Sequence, residues 1–383
     1  MNLHIMPDDK FIDEFISIAN ELNPELNTFL INSTNNPVYV KCKEKNVHLA
    51  GYGTEEFERI VGDLYNYKRV YIHFLTQDMC EFINKNGHKN TMFLWVFWGS
   101  DLYDHIPYPL LDETNLKYRK LHTRKLPHRI YWFMRSWRTK HRQHSERLKA
   151  IQRLEYILHF DENEYKLVLK FFPTQAKFHF FSYPNVLQFS HLDQPLDIDV
   201  LKAIDPDRSI DLSKKILLLG NSGYETGNHL SVLQNLADNR LYGYQIVAPL
   251  SYGNPEYIKH VISVGKRLLG RSFIPITNFF APQTYSHLIK AAEAGIYNSR
   301  RTQGVGNIIS FLYIGKRVFL NPISAVYHYF DRKGIVTNSI DQLFSKEVGP
   351  LDFASAENNR EIIRNMYSVQ TCKETIRKIL ILK

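Results

Sequence analysis

The chain has 383 residues, of which 44% are hydrophobic and 13% aromatic, so it is too long for one ordinary core and too apolar for disorder; two domains are expected. Its three cysteines, Cys42, Cys80 and Cys372, lack metal-ligand spacing and are too few and odd in number for a disulfide framework, which fits a reducing cytosol. The net charge of +9 comes without an export signal, because the opening MNLHIMPDDKF carries acids where such a signal is basic and then apolar, and the longest apolar run, Met92 to Trp98, is far short of the roughly 20 residues of a spanning helix.

In chain order, strands are expected at Asn2 to Ile5, Val47 to Leu49, Arg69 to Leu75 and Thr91 to Phe97. Helical stretches fall at Lys10 to Leu22, Phe57 to Tyr67 and Asp78 to Lys85. This alternation reads as a doubly wound sheet. Apolar runs recur at Leu167 to Phe172 and Phe178 to Phe181. The stretch from Gln194 to Ser213 is rich in Asp and Pro and reads as the junction between domains. The alternation then resumes, with strands at Lys215 to Leu219, Gln245 to Pro249, Ser272 to Ile276, Gly295 to Asn298 and Arg317 to Leu320. Helices are expected at His229 to Asp238, Pro255 to Leu269, Thr284 to Ala294 and Asn307 to Ile314, and a last one from Ser355 to Leu382. The α/β domains therefore divide at about 1–200 and 201–355, with 356–383 as a terminal helix able to pack back toward the N-terminal domain.

Ligands of open α/β sheets bind at the carboxyl ends of the strands. Lys215 to Leu219 breaks into Gly220, Asn221, Ser222 and Gly223. Glycines at a strand end admit a ligand close to the backbone, and the following helix offers unpaired N–H groups to an anion. The spacing matches neither a P-loop nor a dinucleotide fingerprint, and an ordinary βα turn has the same appearance. The loop Ser299-Arg300-Arg301-Thr302-Gln303-Gly304-Val305-Gly306-Asn307 is sharper. It sets two arginines before glycines at a helix start, which suits a diphosphate, although solvent-facing arginines beside a turn would look alike.

Charge is concentrated in one window. Between Lys117 and Lys149 lie twelve Lys or Arg and one acid, Glu146, and the remainder of the chain is slightly negative. Arg129, Arg135 and Arg138 alternate there with Trp132, Phe133 and Trp137. Such a segment can lie in a membrane interface with its rings at headgroup level and its cations on anionic lipid. A nucleic-acid groove or a solvated helix face has a similar composition. The pair Asp197-Ile198-Asp199 has metal-binding spacing but sits in the acidic stretch between the domains and reads as linker; no metal and no cofactor are expected.

Ordered motifs give the chain a family likeness. Trp98-Gly99-Ser100-Asp101-Leu102-Tyr103, Gly220 to Gly223 with Asn228-His229, Tyr252 and Tyr257, Arg301 with Gln303-Gly304-Val305-Gly306, and Leu320-Asn321 together resemble the TDP-N-acetylfucosamine:lipid II N-acetylfucosaminyltransferases, the 4-alpha-L-fucosyltransferases of glycosyltransferase family 56. The resemblance extends from about residue 90 to 330. It implies a GT-B type fold, two Rossmann-like doubly wound domains facing across a cleft, with the nucleotide-sugar in the C-terminal domain and the acceptor at the N-terminal one. The expected reaction moves a deoxy-amino sugar from a dTDP-sugar to a polyprenyl-diphosphate-linked saccharide, metal-independently, on the inner face of the cell membrane. Arginine and helix-terminal amides can stabilise a leaving diphosphate, and Arg301 is the residue chosen for that work. Gly220, Gly304 and Gly306 allow close backbone approach, while Asn221, Ser222, Gln303 and Asn307 offer hydrogen bonds to the donor. Tyr252 would line the nucleoside pocket. Glu293 would reach donor-sugar hydroxyls or make a surface salt bridge. Asp101 would take the acceptor proton or cap a helix. Rival readings are a nucleotide-sugar epimerase or hydrolase of the same architecture, and a non-catalytic module for anionic membrane or nucleic acid, although no nucleic-acid partner is expected.

Overall fold

A computed structural model of the chain describes residues 1–62, 64–86, 90–122, 142–185, 187–204, 210–239, 243–344 and 348–383. They form two compact units. The first draws on Met1–Pro107, Leu126–Val186 and Tyr367–Lys383, the second on Tyr108–Lys125 and Leu187–Met366.

The first unit is built on seven strands: β1 Asn2–Met6, β2 Asn27–Ile31, β3 Val47–Leu49, β4 Arg69–His73, β5 Met92–Val96, β6 Tyr156–His159 and β7 Lys177–Phe180. All pair in parallel, in the order β3-β2-β1-β4-β5-β6-β7. Strands β1, β2 and β4 are buried along their whole length, as expected of a parallel sheet covered on both faces. Phe15 and Ile16 of the helix Ile12–Leu22 pack with Phe29, Tyr71, Leu94 and Leu158 on one face. Strands β2 and β6 are additions to the sequence reading. The run Leu167 to Phe172 falls largely within a helix, Glu162–Phe171, whose start is capped by Asp161 accepting the Asn163 N–H.

The expected terminal helix is two helices. Phe353–Tyr367 ends at Ser368, whose hydroxyl accepts the Thr371 N–H and starts Val369–Leu380. The second of these belongs to the first unit. Ile376 and Ile379 are buried against Phe15 and Phe29, and the Tyr71 hydroxyl donates to the Ile379 carbonyl at 2.5 Å. Asn2 and Arg69 donate to the carbonyls of Leu380 and Leu382 at 3.1 and 2.6 Å.

The second unit carries β8 Lys215–Leu219, β9 Tyr244–Pro249, β10 Phe273–Ile276, β11 Ala294–Tyr297, β12 Arg317–Leu320 and β13 Asn338–Ser339, in the order β10-β9-β8-β11-β12-β13. These pairings are parallel as well. Leu217, Leu219, Ile246 and Ile296 form its core with Leu233 and Phe319. The acidic stretch read as a junction contains the helix Ile198–Ile204 and lies inside this unit. Leu201 and Ile204, three residues apart, are buried, so the apolar face outweighs the Asp and Pro content.

In both sheets the strand order reverses beside the first strand. The carboxyl ends of β1 and β4 flank this switch point in the first unit, and those of β8 and β11 flank it in the second. Open α/β sheets bind ligands at such points.

Candidate functional site

Three loops interlock at the carboxyl edge of the second sheet. Gly220 leaves β8 with φ 72°, and its N–H donates to the Ile296 carbonyl of β11 at 2.8 Å. A Cβ there would lie 2.7 Å from His229 Nε2, so the turn requires glycine. Gly223 forms an isolated parallel bridge with Gly253, donating to the Tyr252 carbonyl at 2.7 Å while its own carbonyl accepts the Asn254 N–H at 3.0 Å. The third loop follows β11. Gln303 accepts the Thr226 hydroxyl at 2.8 Å on Oε1 and donates through Nε2 to Ser222 Oγ at 3.2 Å. Gly304, with φ 71°, starts the helix Val305–Tyr313 beside Asn221.

Beneath the loops stands a polar frame. Asn228 is fully buried in the left-handed region, with φ 51°. Its Nδ2 donates to the carbonyls of Leu110 and Asn298 at 3.1 and 3.0 Å, and its Oδ1 accepts the Asp112 N–H at 3.0 Å. Asn298 in turn accepts from Asn321 at 2.7 Å. The Tyr257 hydroxyl donates to Asn115 Oδ1 at 2.6 Å and accepts the His229 backbone N–H at 3.2 Å. Burial pushes His229 down to about 4 and keeps its imidazole neutral. Asn228, His229, Tyr257 and Asn321, noticed in the sequence only as parts of motifs, hold the loops from below.

The two arginines divide their work. Arg300 donates to the carbonyls of Pro109 and Leu111 at 3.2 and 3.0 Å and fastens that segment. Half-buried Arg301 has Nη1 3.2 Å from the Thr302 carbonyl of its own loop. Asn221 donates to the Tyr252 hydroxyl at 3.1 Å, and Asn307 to the Tyr285 hydroxyl at 2.9 Å. Tyr252 and Tyr285 are both half-buried. Tyr285 escaped the sequence reading because it sits within the helix Pro282–Ala291 and belongs to no loop motif. Thus the edge brings together Gly220, Asn221, Ser222, Tyr252, Arg301, Gln303, Gly304 and Asn307, with Gly306 in the first turn of the helix. Glu293 is not among them. It precedes β11 at the amino end, its N–H bonded to the Ile216 carbonyl at 2.7 Å, on the opposite edge of the sheet.

Asp101 occupies a different setting, behind β5 in the first unit. Its carboxylate is 1% exposed and accepts the Leu75 N–H at 3.1 Å, the Trp95 indole N–H at 2.7 Å and the Trp98 N–H at 3.1 Å. Buried Arg147 donates to the Asp101 and Leu75 carbonyls at 2.9 and 2.8 Å. Burial raises the Asp101 carboxyl to about 6 despite these donors. The group shapes the turn and does not face an open edge. Asp197 accepts the Asp199 and Val200 N–H groups at a helix start, and Asp199 pairs with Lys202 at 2.9 Å. Arg129, Trp132, Phe133, Arg135, Trp137 and Arg138 lie outside the described residues. Among the described residues no helix is long and apolar enough to cross a membrane.

Two parallel sheets of Rossmann type in one chain define the GT-B architecture, and solved structures share it. The chain is similar to a glycosyltransferase from Rickettsia africae (14% identity, TM-score 0.67, covering 99% of this chain and 97% of that one). It is similar to the Anabaena protein HepE in complex with UDP (11%, 0.66, 99% of each) and to sucrose-phosphate synthase from Thermosynechococcus elongatus (10%, 0.67, 99% and 98%). A family model described as 4-alpha-L-fucosyltransferase glycosyl transferase group 56 matches residues 121–348. The chain belongs to that family and is a glycosyltransferase.

Proposed function

We propose that the enzyme moves a deoxy-amino sugar, 4-acetamido-4,6-dideoxygalactose or a close relative, from a dTDP-sugar to a polyprenyl-diphosphate-linked saccharide without a divalent ion. The observation that carries this reading is the pair of loops after β8 and β11, joined at the switch point by Gln303 and Ser222. The HepE structure contains UDP, which supports a nucleoside diphosphate as the ligand of such a sheet edge.

Breaking the anomeric bond places negative charge on the departing diphosphate. Arg301 and the backbone N–H groups that open Val305–Tyr313 would stabilise that charge. Tyr252 and Tyr285 would border the nucleoside, and Asn221, Ser222, Gln303 and Asn307 would orient phosphate and sugar oxygens. The basic and aromatic residues of 117–149, apart from buried Tyr118 and Arg147, would hold the enzyme at anionic lipid close to its acceptor.

The test is turnover of dTDP-4-acetamido-4,6-dideoxygalactose. Arg301→Ala should lose at least about 100-fold in kcat, the scale of removing one charge-stabilising donor, while dTDP still raises the melting temperature of the variant. Unchanged kcat at saturating donor would remove Arg301 from this role. For the membrane, replacing Trp132, Phe133 and Trp137 by serine should abolish sedimentation with vesicles containing anionic lipid; retained sedimentation of the folded variant refutes the attachment.

A further inference from the structure

One polar atom at the edge of the second sheet is left over by the fold. Tyr297 ends β11 on the carboxyl side and is 4% exposed, and its hydroxyl has no hydrogen-bond partner among the described residues. Nearly all buried polar groups in folded proteins are paired, and an unpaired one is costly. Such a group therefore calls for a partner from outside the fold.

Two glycines make room for the ring. A Cβ on Gly295, in the same strand, would lie 2.7 Å from Tyr297 Cε2, and one on Gly304 would lie 3.3 Å from Tyr297 Cδ1. Glycine inside a strand weakens it and marks a close approach. Here the approaching group is the Tyr297 ring itself. A phenylalanine would fill the same space without the polar atom, so packing accounts for the ring and not for the hydroxyl.

The neighbours of that hydroxyl belong to the candidate donor site. The charges of Tyr285 and Tyr252 act on it, and Asn307 faces it as a donor. Asn307 Nδ2 already donates to the Tyr285 hydroxyl at 2.9 Å. Its second amide hydrogen, turned toward Tyr297, would fill the phenol oxygen and still leave the phenol proton without an acceptor. Burial pushes Tyr297 well above the ordinary phenol range, so that proton stays in place. Tyr252, Tyr285 and Asn307 are half-buried, which leaves the cluster accessible to a ligand. Asn307 is the third residue of Val305–Tyr313, within one turn of the backbone N–H groups that would take a diphosphate. On the nucleoside side, the group joined directly to that diphosphate is a pentose, whose hydroxyl oxygens accept hydrogen bonds.

We propose that Tyr297 reads the nucleoside of the donor, its buried hydroxyl donating to a pentose hydroxyl oxygen. The proposal rests on the nucleotide-sugar reading given above. Binding then supplies the acceptor that the fold lacks. The hydroxyl contributes to nucleotide affinity and not to folding, which a tyrosine with a purely structural role would not do.

The full chain is titrated by calorimetry with dTDP, with 2′,3′-dideoxythymidine diphosphate and with pyrophosphate, and melted without ligand. Tyr297→Phe should leave the ligand-free melting temperature unchanged or higher, because it removes a buried unpaired group. It should weaken dTDP binding about tenfold, the scale of one buried hydrogen bond, and leave pyrophosphate binding unaltered. The wild type should bind the dideoxy compound about tenfold more weakly than dTDP, and Tyr297→Phe should bind the two alike, since each change removes one half of the same bond. A Tyr297→Phe affinity for dTDP within twofold of wild type overturns the proposal, as does a variant that still separates the two nucleotides tenfold. An equal loss of pyrophosphate binding, or a lowered ligand-free melting temperature, assigns the hydroxyl to the framework of the site and also overturns it. A wild type that binds neither dTDP nor pyrophosphate overturns the donor reading, and this proposal with it; every other result leaves the donor reading standing.

Discussion

Gln303 Nε2 donates to Ser222 Oγ at 3.2 Å, and because one residue follows β11 and the other β8, this bond spans the point where the strand order of the second sheet reverses. The same side chain accepts from Thr226 on its other end, so a single amide aligns two loops. Gln303→Ala removes both bonds, each worth about 1 kcal/mol net. The donor KM should rise about tenfold and the dTDP-induced rise in melting temperature should shrink. Steady-state kinetics at fixed acceptor, with thermal melts, provides the check; an unaltered donor KM would show that the loops are aligned without it.

Glycine at position 253 is a steric requirement. Its φ is 135°, and a Cβ would stand 2.4 Å from the Gly223 carbonyl carbon. Gly253→Ala must separate the loops after β8 and β9, at a cost of about 3 kcal/mol from backbone strain and overpacking. Gly349, whose Cβ would meet nothing within 4 Å, is the control, and Gly349→Ala should stay within about 0.5 kcal/mol of wild type. Urea denaturation of the two variants gives the comparison, and equal midpoints would contradict it.

Acid should unfold both units. Burial lowers His159 in the first unit and His229 in the second to about 4. A histidine depressed in the folded state contributes stability that is complete above the unfolded value of about 6.5 and is lost as pH falls toward the folded one. Each can cost up to about 3 kcal/mol by pH 4. The urea midpoint should therefore fall steadily between pH 7 and 4.5, and His229→Asn should flatten its share of the slope. A midpoint independent of pH over that range is the contrary result.

Asp101 runs with the opposite sign. Raised to about 6 in the fold, it favours the folded state below about pH 4, and this contribution disappears as pH rises through 6. Asp101→Asn offers one acceptor oxygen to three N–H donors, so it should cost about 1–3 kcal/mol at pH 7 and remove this part of the pH dependence. Transfer by the folded variant should remain within about threefold of wild type. A 100-fold loss of kcat in a properly folded Asp101→Asn would instead restore the carboxylate to a role as base.

Much of the second unit was legible because several of its strands are compact apolar runs, two of them bounded by a glycine on one side. Lys215 to Leu219 followed by Gly220, and Arg317 to Leu320 after Gly315, fall where the sequence placed them. Strand β2 was not legible. It opens with two buried polar residues, Asn27 and Thr28, and the burial of Asn27 is made tolerable by hydrogen bonds from distant His4 and Asn2, partners that sequence spacing does not reveal. Glu293 was placed near the donor as a residue late in the helix before Arg301, yet that helix ends at Ala291 and the length of β11 separates the two. Asp101 shows a second limit. Its position after β5 was readable, whereas the inward turn of its carboxylate depends on Trp95, Leu75 and Trp98 converging on it.

The helix Val369–Leu380 has a consequence for how the protein is made. It supplies Ile376 and Ile379 to the core of a sheet whose first strand is Asn2–Met6. On the ribosome, β1 emerges early but waits for Ile376, 370 positions after Met6, while every described strand of the second unit is already available. The unit begun first is finished last, and its uncovered helix-binding face is the surface a chaperone would meet during that delay.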